Sequence, residues 1–282
     1  MARFFNMKSA IRLSSLLLFA GLSSCAGSID DAEAPAYAGP QPRPSPLVKW
    51  PAATGDKPVS QTIKVSGVLD GGLKRYYGAG DLSLLGSGDK EEKPGALFEL
   101  EDGATLSNVI LGETAGEGVR CKGSCTLNNV WWERAGDGAA TFAGTSDSAL
   151  VTVNGGGASG AFDKVFAHNG AGTLLVKNFY AEWFGKIYRS CGNCSKQYGR
   201  KVVFENLTAV TGPKASAIAG INSNLGDHVE FQGVNTIYAM SKKVPACVRY
   251  EGNTNGGESK KLGAGPDGTS CKYDDTTVVT KN

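Results

Sequence analysis

The chain of 282 residues has only two histidines, His168 and His228. That leaves too few imidazoles for a zinc centre built from clustered His and Cys. After residue 25 no stretch is long and apolar enough to cross a bilayer as a helix. A strong charge of either sign is also missing. The formal net charge is +2, and Arg3, Lys8 and Arg12 lie at the very start, so the remainder carries about −1. Such a balance lacks the basic footprint of a nucleic-acid binder. No long amphipathic helix can be traced in the hydrophobic pattern. What is abundant is glycine, 39 residues of it, and with it turn chemistry.

The apolar run Leu16-Leu17-Leu18-Phe19-Ala20-Gly21-Leu22 follows those three cations and is too short to span a membrane. It reads as a signal peptide over residues 1–25. It closes on Leu22-Ser23-Ser24-Cys25, which resembles a bacterial lipobox; Cys25 would then be the lipidated first residue of the mature chain. Plain secretion with cleavage nearby is the other reading. Seven cysteines are an odd number for an exported protein. With Cys25 set aside, nearest-neighbour pairing gives Cys121–Cys125, Cys191–Cys194 and Cys247–Cys271, one of several connectivities six cysteines allow. For Cys191-x-x-Cys194 a zinc or redox site is the rival, although zinc would need two more soft ligands nearby. Pro35, Pro40, Pro42, Pro44, Pro46 and Pro51 favour extended, unpacked backbone, so residues 26–60 read as a linker. Residues 61–282 then form one domain, long enough for a substantial core.

Short β-rich runs recur through that domain. They end in Asn108-Val109-Ile110, Asn129-Val130-Trp131, Val153-Asn154, Asn178-Phe179, Asn206-Leu207 and Gln232-Gly233. Their spacing of roughly 21 to 28 residues is that of one coil of a stacked β-solenoid. Asn tolerates left-handed backbone at bends and can stack in ladders. A β-sandwich is the alternative, but its strands come closer together, with hairpin signals between them. The expected fold is an all-β, right-handed parallel β-helix, with its first coil near Ile63 and its last near Tyr250.

Longer stretches are more specific. "LFELEDGATLSNVILG", "GVRCKGSCTLNNVWWE", "DKVFAHNGAGTLLVKNFY", "FGKIYRSCGNC" and "AGINSNLGD" occur in that order between Lys64 and Tyr273. They resemble the successive motifs of polysaccharide lyase family 3, the family 3 pectate lyases. The resemblance implies a secreted, calcium-dependent β-eliminase acting on polygalacturonate in a groove outside the β-helix. It implies Lys164, in "FDKVF", as the base, with Lys186 and Arg189 as clamps or charge stabilisers for the substrate carboxylate. It further implies Glu117 and Asp137 as calcium ligands, and Glu91 and Arg120 as substrate contacts. Hard oxygen donors suit calcium. The chain departs from the family at three places. Asp137-Gly138 stands for Glu-Asp, Ala143 for a lysine, and Arg120 for a histidine. The missing carboxylate weakens the expected calcium site, and the missing lysine the expected uronate site. Two function classes therefore remain: a pectate lyase, and a non-catalytic uronan-binding surface protein on the same scaffold. The expected partner is polygalacturonate, with no nucleic acid and a membrane only through a lipid anchor; a monomer is expected.

Overall fold

A single β-rich run cannot bury its apolar face alone, but runs stacked in parallel can bury one another. The computed structural model, which describes residues 47–83, 95–113, 117–240 and 243–282 within the unit Pro46–Asn282, is built this way. Cys25 and Glu91 lie outside the described residues. The chain alternates between two sheets, one of nine strands and one of thirteen. The nine-stranded sheet runs Ile63–Val65, Phe98–Leu100, Val119–Cys121, Gly136–Phe142, Ala161–His168, Lys186–Ser190, Ala217–Asn222 and Cys247–Glu251, all parallel. It closes on Lys260–Ala264, its one antiparallel member. The described residues contain no α-helix, only two 3₁₀ turns at Gly80–Leu82 and Ser223–Leu225. This is the expected single-domain parallel β-helix.

The solenoid is longer than the periodicity suggests. Strand Asp56–Val59 pairs with Arg75–Gly78 ahead of Ile63, within the stretch read as linker. Trp50 packs its ring 5.0 Å from that of Trp131. Beyond Tyr250 the chain makes a further return, with strands as far as Val278–Lys281. Proline ahead of residue 60 and the polar turns after Tyr250 mask both ends in the sequence.

Asparagine forms the bends between faces. Asn108, Asn129, Asn178 and Asn206 have φ between 52° and 57°, a conformation most other side chains avoid. Their amides stack: Asn129 donates to Asn108 at 2.9 Å, and Asn206 donates to Asn178 at 3.3 Å. The ladder is interrupted once. Asn129 Oδ1 instead accepts the Trp131 indole N–H at 2.7 Å, and at the bend of the next coil the left-handed residues are Gly155 and Gly156. Inside the coils, Trp132, Phe142, Phe166 and Phe179 form one aromatic cluster with centroids 5.2–6.4 Å apart. Each such pair adds about 0.5–1.5 kcal/mol beyond the area it buries. All three disulfides take the nearest-neighbour pairing, Cys121–Cys125, Cys191–Cys194 and Cys247–Cys271.

A polar spine sits beside this core. His168 is 1% exposed, and its Nε2 lies 3.0 Å from the Ala171 carbonyl, which can only accept. Nε2 therefore carries the proton, and Nδ1 accepts from the Tyr188 hydroxyl at 3.0 Å. Burial pushes the His168 pKa down to about 4; the Ala171 carbonyl opposes this and Arg200 adds to it. The unfolded chain takes up this proton near pH 6.5, the folded chain only near pH 4. In that window the unfolded state binds more protons, so stability falls as pH falls. The loss from this one group is about 3 kcal/mol across the window. His168→Gln keeps a donor and an acceptor without a titration. Its stability deficit relative to the parent, from denaturant midpoints, is expected to shrink from pH 6.5 to pH 4; a constant deficit would contradict the buried neutral ring.

Candidate active site

Parallel pairing sets residues of successive coils side by side, about 4.8 Å apart. In the nine-stranded sheet Lys164 pairs with Gly138 on one side and Lys186 on the other, and Lys186 pairs with Ala217. A second row, three residues along the strands, reads Arg120, Thr141, Ala167, Arg189 and Gly220. The sheet thus brings Lys164 and Lys186 together, with Arg189 one step further along.

A bulge shapes the edge. Ala161 pairs with Gly136, but Lys164 pairs with Gly138, so strand Ala161–His168 carries one extra residue. The bulge leaves both Phe162 and Asp163 exposed, where strict alternation would bury one of them. Asp163 then forms an ion pair with Lys164. The carbonyls of the bulge press on the next coil. A Cβ at Gly185 would lie 2.4 Å from the Asp163 carbonyl oxygen and 2.7 Å from that of Phe162. Glycine is thus required in "FGKIY" for a steric reason. Burial holds Lys186 below the ordinary lysine range; Asp163 opposes this, while Arg189 and Lys164 add to it.

Arg189 is held from several sides. Its Nη1 donates to Asn222 Oδ1 at 2.8 Å and its Nη2 to Ser259 Oγ at 2.5 Å. The guanidinium lies 4.2 Å from the Tyr250 ring centroid, within cation–π range. Gly220 makes room for this: a Cβ there would meet Arg189 Cδ at 2.9 Å and Tyr250 Cε2 at 3.1 Å. Burial also lowers the Arg189 pKa, opposed by Tyr250, Asp227, Tyr188 and Asp163. Asn222 is fully buried and ties the group to the disulfide turn, since its Nδ2 donates to the Cys191 carbonyl at 2.8 Å. Asp227, also buried, accepts from the Asn222 and Arg200 backbone amides at 2.9 and 2.8 Å. The Cys191–Cys194 turn therefore anchors the arginine that precedes it.

The other expected residues are placed less tightly. Asp137 is exposed at the start of strand Gly136–Phe142, one coil before Asp163. Glu117 stands two residues ahead of strand Val119–Cys121, whose Val119 pairs with Ala140 in the coil that carries Asp137. Carboxylates thus occur at one edge of successive coils, and their all-oxygen chemistry fits calcium better than zinc. Among the described residues no three His, Cys, Asp or Glu side chains form a group that could hold a metal ion. Arg120 is exposed in the Arg189 row, three coils before it. Asp163, Asn222, Tyr250 and Ser259 are the contacts that sequence reasoning missed. Asp163 and Asn222 stand inside motifs already singled out, whereas Tyr250 and Ser259 lie beyond the repeating runs.

Fold and site together define a parallel β-helix protein with a cationic cluster across the middle strands of its nine-stranded sheet. The pectate lyase family profile matches residues 48–257, and the chain belongs to that family. It is 44% identical over 225 residues to probable pectate lyase E of Neosartorya fischeri, covering 79% of this chain and 83% of that one. It is 41% identical over 224 residues to pectate lyase E of Emericella nidulans, covering 79% and 83%. Among solved structures, the catalytic domain of pectate lyase PelI from Erwinia chrysanthemi superposes with a TM-score of 0.65 at 29% identity, over 80% of this chain and 100% of that one. The complex of PelI with tetragalacturonic acid gives 0.63 at 30% identity, over 79% and 71%.

Gly185→Ala tests the bulge. The added methyl meets backbone, which cannot swing aside, so stability is expected to fall by about 1–3 kcal/mol in denaturant melts. A variant as stable as the parent would show that the bulge does not need this glycine.

Proposed function

We propose that the protein is a calcium-dependent pectate lyase that cleaves (1→4)-α-D-galacturonan by β-elimination. The observation that carries this reading is the pairing of Lys164 with Lys186 in register, with Arg189 beside them, in a chain of the pectate lyase family. In β-elimination the C5 proton, α to the uronate carboxylate, passes to a base. The C5–H electron pair forms the C4=C5 double bond, and the C4–O pair leaves on the oxygen of the departing sugar, which takes up a proton from water. Lys164 is the proposed base, and Asp163 is the group it must release to meet the substrate. Lys186 and Arg189 hold the substrate carboxylate and stabilise the charge that develops there. Glu117 and Asp137 would hold calcium, with Glu91 and Arg120 as substrate contacts. Bound calcium would supply Lewis-acid stabilisation of the uronate charge. Export with a lipid anchor at Cys25 belongs to the same proposal, and the apolar run that closes on Leu22-Ser23-Ser24-Cys25 supports it.

Gly138 favours a second reading, a weakened or inactive uronan-binding protein. It sits opposite Lys164, where the family's second carboxylate is missing. Absorbance of unsaturated uronides separates the assignments. Lys164→Ala is expected to lower turnover by about 10²–10⁴-fold, and Lys186→Ala mainly to raise KM. The opposite pattern, with kcat/KM rising with pH through a midpoint below the ordinary lysine value, would make the half-buried Lys186 the base. No turnover in the parent, with uronan binding intact, would support the binder.

A further inference from the structure

We propose that Phe162, with Lys214 and Arg134, forms a stacking subsite for a neighbouring acidic sugar of the same polymer chain. The inference rests on the uronan reading above, because it names a further contact for that substrate. Phe162 is 40% exposed, two residues from Lys164, at the start of a strand whose other aromatic, Phe166, is fully buried. A lone exposed phenylalanine would need no explanation. This one stands on the bulge that also presents Asp163, and Gly185 in the next coil accommodates that bulge against backbone. Bulges re-aim side chains next to functional sites.

Two cations flank the ring. Lys214 Nζ lies 5.3 Å from its centroid and Arg134 Cζ 6.0 Å, both within cation–π reach. They come from different coils, and the Arg134 stem passes 3.6 Å from where a Cβ would stand on Gly160. Arg134 also pairs with Glu113 at 3.7 Å, which makes exposed Lys214 the more available charge for a ligand. The combination matches one ligand chemistry. A pyranose offers an apolar C–H face to an aromatic ring, and a uronate adds a carboxylate at its edge for the lysine. A neutral sugar would use the ring alone; a simple anion would use the lysine alone. The cluster therefore extends the acidic-sugar site beyond the paired lysines, toward the turn that holds Lys214.

Binding and turnover together test this. Retardation in native gels containing polygalacturonate, with chelator present to stop turnover, reads binding directly. Phe162→Ala is expected to weaken retention by roughly three- to tenfold, and Phe162→Tyr to restore it. Lys214→Ala is expected to weaken it and to reduce its dependence on salt. In turnover, Phe162→Ala should raise KM for polygalacturonate several-fold more than KM for the shortest oligogalacturonate the parent cleaves. Equal changes at both lengths, or unchanged retention in both the Phe162→Ala and Lys214→Ala proteins, would overturn the subsite. A parent that binds the polymer without cleaving it would refute the lyase reading, and gel retention would still decide the subsite. Thermal midpoints of all variants guard against misfolding, since an exposed ring should cost little stability when removed.

Discussion

In-register parallel pairing of three strands, Gly136–Phe142, Ala161–His168 and Lys186–Ser190, is the constraint on which the site depends. It places Lys164 directly beside Lys186, although like charges opposite each other are destabilising. The cost is borne by a core of stacked aromatic and aliphatic rows that fixes the coils regardless of what the edge carries. Asp163 offsets part of it locally, and it reaches that place only because of the extra residue in its strand. A site that abstracts a weakly acidic proton gains from this arrangement. Burial, with Arg189 and Lys164 beside it, holds Lys186 below the ordinary lysine range, and a row of cations attracts an anion.

The second constraint lies behind the first. Arg189 is held by Asn222, Ser259 and the Tyr250 ring, and Asn222 is itself fixed through Asp227 and the Cys191 carbonyl. These contacts come from two later coils and a loop near the end of the chain. The disulfide turn therefore aims the arginine through hydrogen bonds, by way of Asn222. Two of the three departures from the family, Gly138 and Ala143, separate in space as well. Gly138 touches the Lys164 row, while Ala143 lies five residues on, roughly 16 Å along an extended strand. A Cβ at Gly138 would stand 3.2 Å from the Lys164 carbonyl oxygen, so an added carboxylate requires a small local shift.

Much of the fold was legible because its signals are local and repeated. Asn at a bend needs only the left-handed preference of one residue type, and Asn108, Asn129, Asn178 and Asn206 sit where that preference places them, while Asn154 leaves the left-handed positions to Gly155 and Gly156. Short loops point to Cys121–Cys125 and Cys191–Cys194, and Cys247–Cys271 is the pair that remains. The bulge was not legible, because an extra residue becomes visible only once its strand is paired with Gly136–Phe142. Nor were the Arg189 partners Tyr250 and Ser259, which lie in polar, turn-rich sequence with no period to follow. Phe162 and Phe166 look alike in "FDKVF", and only the bulge separates the exposed ring from the buried one.

Absorbance of 4,5-unsaturated uronides released from polygalacturonate by the wild-type protein tests the central claim most directly. The account predicts a steady rise with calcium present, loss of the signal with chelator, and recovery when calcium is restored. Polymer bound tightly with no absorbing product in either condition would contradict it.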